Sequence, residues 1–283
     1  MNFGGIPPIY TAYESSPIVI FPVPFDATST WIKGADRGPE AILEASANME
    51  LYDIDTDSEV YLKGIYTAEP TKEKVSPELL AGEVRQKVEK FLDDGKFVVT
   101  LGGEHSVTIG VVQAFAGKIP GLSVLQIDAH TDLRQEYEGS RFNHACVMAR
   151  VREMCPIVQV GIRSMDVIEK PFIFNDRIFF AKDIVGVNWD WMDKVIEKLD
   201  NYVYLTIDLD GFDPSIMPAT GTPEPGGLTY YDVIKLVMKL IDKKKLLGFD
   251  VVELCPNENN KASDFLATKL IYQILSYQFK GDE

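Results

Sequence analysis

Cysteine, histidine and positive charge are all scarce in this chain. Its three cysteines in 283 residues, Cys146, Cys155 and Cys255, are odd in number and form no Cys-x-x-Cys pair, which fits free thiols in a reducing compartment. Lys and Arg number 28 against 43 Asp and Glu, a formal net charge of -15. Such a surface repels phosphate backbones. The basic residues cluster only at Lys243-Lys244-Lys245, which reads as the positively charged end of a helix, so no nucleic-acid partner is expected. No apolar run is long enough to cross a bilayer, and the opening MNFGGIPPIYTAYESS lacks the basic-then-apolar pattern of a signal peptide. The expectation is therefore no membrane partner and a cytoplasmic location.

What is present is globular in proportion, with 46% hydrophobic and 25% charged residues. Short runs rich in Val, Ile and Phe alternate with stretches of helical spacing. The runs are Pro17 to Val23, Phe97 to Leu101, Leu122 to Ile127, Ile157 to Val160, Ile178 to Phe180, Tyr202 to Ile207 and Gly248 to Val252. They are continuous more than alternating, as strands covered on both faces of a parallel sheet should be. Helix ends are readable between them. Gly38-Pro39 and Ser76-Pro77 place proline in a first turn, Thr229 with Asp232 makes a capping box, and Ser263 is expected to cap a last helix through Leu275. No linker or repeat interrupts the pattern. It predicts one α/β domain over residues 1–283, three-layer α/β/α around a central, mainly parallel sheet.

Ligands of such sheets bind beyond the carboxyl ends of the strands. Four runs end there in acidic or imidazole residues: Glu104-His105, Asp128-Ala129-His130-Thr131-Asp132, Asp208-Leu209-Asp210 and Glu253. If the backbone stays extended past the strand end, Asp128, His130 and Asp132 project together, as do Asp208 and Asp210. Four clustered carboxylates repel one another, and cations relieve the repulsion. A mixed oxygen and imidazole set without thiolate suits manganese better than zinc, with cobalt or nickel as substitutes. Six ligands are too many for one catalytic ion. Two ions about 3.5–4 Å apart, bridged by Asp128 and Asp208, account for them. Glu253 on an apolar strand must pair with a cation to stay charged. Other readings remain open at this point: His105 as a helix cap, and each acidic motif as a turn or capping feature. Asp213-Pro214 reads as a turn. Gly102-Gly103 is a poor phosphate cradle, because Glu104 has the wrong charge and no lysine follows.

Gly102-Gly103-Glu104-His105-Ser106, Asp128-Ala129-His130-Thr131-Asp132 and Asp208-Leu209-Asp210-Gly211-Phe212-Asp213-Pro214 resemble the three signature motifs of the ureohydrolases, the arginase and agmatinase family. Pro24-Phe25-Asp26, Gly38-Pro39-Glu40-Ala41-Ile42, Gly221-Thr222-Pro223-Glu224 and Asp250-Val251-Val252-Glu253 match in order, so the resemblance spans most of the chain. Glu104 stands where aspartate is commoner, at a position that is not a ligand in the family. The resemblance implies an arginase-like fold and a two-manganese enzyme that hydrolyses a guanidino group to urea and an amine. It implies His105 and Asp132 as ligands of one ion, His130 and Asp210 of the other, with Asp128 and Asp208 shared. It also implies His144 as the proton carrier, Glu253 as the partner of the substrate guanidinium, and Asp132 as a second group able to pass a proton. A homo-trimer or homo-hexamer is the implied assembly.

The stretch from Leu133 to Phe142 and Glu224 resemble the agmatinase branch. The expected substrate is then a small cationic guanidine, agmatine first, cleaved to putrescine and urea. N1-aminopropylagmatine is the alternative, and guanidino acids are open through Arg134 or Arg163. Glu136, Tyr137 and Glu138 are available to the substrate's tail. Two other classes stand beside this one: a different binuclear hydrolase such as a phosphoesterase, and a metal-binding protein without turnover. The first usually wants Lys or Arg beside the metals, and the motifs supply none.

Overall fold

A computed structural model of the chain describes residues 1–281. The last two residues of the expected domain, Asp282 and Glu283, lie outside the described residues. Eight strands form one sheet: β1 (Ile18–Val23), β2 (Ile65–Thr67), β3 (Phe97–Gly102), β4 (Leu122–Ile127), β5 (Ile157–Ile162), β6 (Ile178–Phe180), β7 (Tyr202–Asp208) and β8 (Lys245–Val252). Their order is β2-β1-β3-β8-β7-β4-β5-β6, and every neighbouring pair is parallel, not merely most of them. β1, β4 and β5 are buried along their whole length, the two-sided covering that their continuous apolar runs call for.

The helices are α1 (Gly38–Ser46), α2 (Pro77–Asp93), α3 (Val107–Lys118), α4 (Val147–Val151), α5 (Ala181–Ile184), α6 (Trp191–Glu197), α7 (Tyr230–Lys243) and α8 (Ala262–Gln278). They pack the sheet from both sides. One core joins Ile42, Val195, Leu236 and Ile271 of α1, α6, α7 and α8 to strand residues such as Leu125 and Ile207. The other joins Leu80, Val111 and Met148 of α2, α3 and α4 to residues such as Phe21 and Val124. This is the three-layer arrangement of the arginase-like expectation.

Several local expectations change. β2 is missing from the sequence reading, because three residues at a sheet edge carry too short a pattern. α8 starts at Ala262 with Lys261 before it and no side-chain cap, so Ser263 is not the cap; it is buried in the first turn, and the helix runs past Leu275 to Gln278. The lysine run is split between two elements. Lys243 ends α7, while Lys245 opens β8 three residues before Gly248 by pairing with Tyr202 of β7. Thr229 and Asp232 do form the capping box of α7.

The connection from β3 leads to β4, yet β8 and β7 lie between them in the sheet. That gap is the switch point where open parallel sheets bind ligands. β3 turns sharply into it at Gly103, where a Cβ would fall 2.0 Å from the Phe25 carbonyl oxygen, so only glycine lets the two loops touch.

Candidate metal and active site

The four central strands, β3, β8, β7 and β4, deliver all of the acidic and imidazole residues singled out at strand ends. His105 Nδ1 lies 3.0 Å from Asp132 Oδ2, 3.2 Å from Asp128 Oδ2 and 3.3 Å from Asp208 Oδ2. His130 Nδ1 lies 3.0 Å from Asp210 Oδ2 and 3.6 Å from Asp128 Oδ1. Two groups result, His105-Asp128-Asp132 and Asp128-His130-Asp210, each with its ligand atoms within 4.8 Å of one another and each able to hold a metal ion. Asp128 belongs to both, one oxygen to each. Asp208 is different: Oδ2 faces His105, while Oδ1 accepts from the Asp210 amide at 2.8 Å, and it reaches no His130 atom within ion-pair range.

The convergence is not made by strand alternation. β4 stops at Ile127, Asp132 is left-handed with φ 53°, and Leu209–Gly211 form a 3-10 turn. The condition of extended backbone therefore fails, and turns bring the side chains together instead. Glu253 is left-handed as well, with φ 66°. Non-glycine residues rarely adopt this region, and two of the four that do so among the described residues are Asp132 and Glu253.

Neighbours aim each ligand. His105 Nε2 lies 2.9 Å from Thr206 Oγ1, which leaves Nδ1 for the carboxylates. Gln126 Nε2 donates to Asp128 Oδ2 at 2.6 Å, and the Ala129 amide donates to Asp210 Oδ1 at 3.1 Å. Burial works to depress both imidazoles, but the surrounding aspartates hold His105 and His130 well above the ordinary histidine range. Burial and the nearby Asp128 push Asp132 up to about 7, and burial with Asp210 and Asp128 pushes Asp208 up. For Asp128, burial pulls upward but the neighbouring His105 and His130 imidazoles win, holding it below the usual carboxylate range. The cluster thus attracts positive charge. His105 Nδ1 is buried and makes no well-formed hydrogen bond, although three carboxylate oxygens surround it. That donor set fits a cation bound among oxygens and imidazole nitrogen.

Above the cluster opens a cavity of about 340 Å³ whose lining includes His130, Asp132, His144, Glu253, Trp31 and Tyr137. Glu253 Oε1 accepts from the His105 amide at 2.7 Å; burial and the nearby Glu104 push its carboxyl up. His144 goes the other way. Burial, then repulsion from His130 and His105, lowers it to about 4.

Some candidates fall elsewhere. Glu136 and Glu138 are exposed and do not line the cavity; only Tyr137 of that trio does. Arg163 donates to the carbonyls of Asp210 at 2.6 Å, Glu224 at 2.7 Å and Phe212 at 3.2 Å, so it ties two site loops together and is not free for a substrate carboxylate. Arg134 lines the cavity, paired with Asp166 at 3.0 Å and lying over the Tyr137 ring. Glu224 reaches the site, 3.9 Å from His130 Nε2. Asp213 makes a turn, accepting from Ser215, Gly226 and Gly227 amides, and the helix after His105 begins only at Val107. Trp31, Met165, Asp166 and Glu169 line the cavity unforeseen. Trp31, Met165 and Asp166 come from loops with no strand-end pattern. Glu169 lies inside a short helix, where its carboxylate accepts from Thr131 Oγ1 and the Leu133 amide.

A profile of the Arginase family matches residues 16–276. The chain belongs to the arginase family. Within it the chain groups with the agmatinase-like ureohydrolases. It is 41% identical over 278 residues to the "N(1)-aminopropylagmatine ureohydrolase" of Synechocystis sp., covering 94% of this chain and 90% of that one. It is 36% identical over 263 residues to the "Agmatinase" of Pyrococcus horikoshii, covering 91% and 90%. The crystal structure of agmatine ureohydrolase of Thermoplasma volcanium superposes with a TM-score of 0.86 at 33% identity, covering 95% of this chain and 92% of that one. No helix among the described residues is long and apolar enough to cross a membrane.

Proposed function

We propose that this ureohydrolase hydrolyses the guanidino group of N1-aminopropylagmatine to urea and an amine, with agmatine as the second substrate. The observation that carries the hydrolytic reading is Asp128, shared by two metal-competent His/Asp groups at the floor of a cavity that also holds Glu253. The order of substrates reverses the expectation from sequence. The support is the Synechocystis relative, more similar than the Pyrococcus agmatinase, together with Trp31 and Tyr137 in the cavity lining, which suit the methylenes of a longer substrate, and Glu224 near His130, which suits its second ammonium. The excess of 43 acidic over 28 basic residues favours the approach of a polycation.

His105, Asp128 and Asp132 would hold one manganese ion, and Asp128, His130 and Asp210 the other, with Asp208 joining on the His105 side. Bound manganese supplies Lewis acidity, making hydroxide available from water at neutral pH. Glu253, buried at the cavity floor, pairs with the guanidinium and fixes its carbon for attack, so the encounter becomes a positioned one. Asp132 accepts the proton that the attacking oxygen gives up and hands it to the leaving nitrogen as the C–N bond breaks, which restores its carboxylate. The freed amine takes up a further proton, which His144, in the cavity lining, passes on from solvent.

The test is urea release from N1-aminopropylagmatine, agmatine, arginine and 4-guanidinobutyrate with manganese added. The expected result is a kcat/KM for N1-aminopropylagmatine at least tenfold above agmatine and no turnover of the acids. Higher kcat/KM on agmatine reverses the substrate order. No urea from any of the four sinks the reading.

A further inference from the structure

Two glutamines lie on fully buried strands, Gln126 on β4 and Gln159 on β5, where an amide is costly unless its hydrogen bonds are made. They are partners in the β4–β5 register, so their side chains share a face of the sheet. The row continues. Gln126 is level with Thr206 of β7, Thr206 with Asp250 of β8, and Asp250 with Thr100 of β3. One buried polar side chain per strand thus crosses five adjacent strands, passing two residues before Asp128 in β4 and two before Asp208 in β7. Thr206 of this row meets His105; the glutamines meet the loop that carries Asp128.

Their hydrogen bonds have a direction. Gln159 Nε2 donates to the Thr131 carbonyl at 2.8 Å and to Gln126 Oε1 at 2.6 Å. Gln126 Nε2 donates to Asp128 Oδ2 at 2.6 Å and, more weakly, to the His130 carbonyl at 3.4 Å. A backbone carbonyl can only accept, so Thr131 decides which end of Gln159 is nitrogen. The second proton of that nitrogen goes to Gln126, whose facing atom must then be its oxygen. The far end of Gln126 is therefore nitrogen, and it meets a carboxylate. Without Gln159, a half-turn about the last bond of Gln126 would set oxygen against the Asp128 oxygen.

We propose that Gln159, whose own hydrogen bonds go to Gln126 and Thr131, is a positioning residue for the metal centre: through Gln126 it fixes the plane of the Asp128 carboxylate, so that one oxygen faces each ion. Asp128 is held at both oxygens. Oδ1 accepts from the His130 amide at 2.6 Å and faces the His130 ring, while Oδ2 takes the Gln126 amide and faces His105. The relay starts at the Thr131 carbonyl and ends at Asp128, so it ties the 128–132 loop to itself through the strands beneath it. Both glutamines are neutral. They aim the carboxylate without competing for it as a buried lysine or arginine would. The inference rests on the reading of Asp128 as the shared ligand.

Calorimetric titration of the metal-free full chain with manganese, without substrate, tests the relay. Gln126→Met and Gln159→Met keep the side-chain length and remove the amide. Each should weaken manganese binding about 10- to 100-fold, as the loss of supporting residues of metal ligands does. Because the two act in series, the double variant should lose no more than about threefold beyond the larger single loss. Losses that multiply in the double variant, or a Gln159→Met affinity within about twofold of the parent, overturn the proposal. A purely structural role would lower the melting temperature of metal-free Gln159→Met and leave its affinity alone, which is that second outcome. Neutron diffraction from metal-free crystals of the parent in heavy water reads the amides directly. Deuterium is expected on the Gln126 atom that faces Asp128 Oδ2 and on the Gln159 atom that faces Thr131. A Gln126 oxygen turned to Asp128 overturns the proposal even if neither variant folds. These readouts stand apart from turnover: failure of every guanidine to yield urea sinks the proposed function and leaves the relay to be decided by manganese affinity and amide orientation.

Discussion

Glu253 Oε1 accepts a hydrogen bond from the backbone amide of His105 at 2.7 Å, which ties the loop after β8 to the loop after β3. The carboxylate proposed to hold the guanidinium is therefore anchored to the same residue whose ring faces Asp128, Asp132 and Asp208. Burial keeps Glu253 above its ordinary pKa until a cation arrives. Glu253→Gln keeps the shape and the hydrogen bond while removing the charge. It should lower kcat/KM by about 10³, roughly 4 kcal/mol, with manganese content unchanged. A variant within tenfold of the parent excludes Glu253 as the guanidinium partner.

Asp128 offers one oxygen to each metal-competent group, while His130 serves one. Asp128→Asn should therefore lose most of both ions, and His130→Asn only one. Elemental analysis after gel filtration reads the stoichiometry directly. Two ions retained by Asp128→Asn would contradict the shared role.

Metal binding should release protons. The aspartates hold His105 and His130 well above the ordinary range against the pull of burial, and burial raises Asp132 to about 7. These groups carry protons in the metal-free protein that a cation must displace. The sign follows: the free state binds more protons, so apparent manganese affinity rises as pH increases through about 7 and falls in acid. Calorimetric titrations at pH 6 and pH 8, in buffers of different ionisation enthalpy, measure both the affinity and the protons released. An affinity independent of pH would remove the basis of this prediction.

Arg163 holds the carbonyls of Asp210 and Glu224 with one guanidinium nitrogen, at 2.6 and 2.7 Å. Lysine has no planar fork to replace it. Arg163→Lys should weaken manganese binding about 10- to 100-fold through the Asp210 loop, as supporting residues of metal ligands do. It should leave the preference among cationic and acidic tails alone. A changed tail preference at full metal content would instead place Arg163 at the substrate.

Particular residues show how much of the fold and the site is local in the sequence. The strand-end residues Asp128, His130, Asp208 and Asp210 were legible because a buried parallel strand leaves an uninterrupted apolar run, and the polar residues that end it stand out. Seven of the eight strands followed from the same signal, and β2 escaped because an edge pairing of three residues leaves almost none. Arg163 looks available in sequence, since nothing local announces that it is spent on carbonyls such as those of Asp210, Phe212 and Glu224, 47 to 61 residues away.

The sequence by itself determined the class of the fold, the chemistry of the donor set and the place where the two meet, because periodicity and residue type are local properties. Only the tertiary structure decided how the donors converge. Left-handed turns at Asp132 and Glu253, not extended alternation, aim two of them, and packing between distant loops sets those angles. The same holds for Asp128 facing both groups, Asp208 facing one, and Thr28 reaching His144 across 116 residues. Each depends on which strands become neighbours: β8 and β7 must slot between β3 and β4 before any of these side chains can meet.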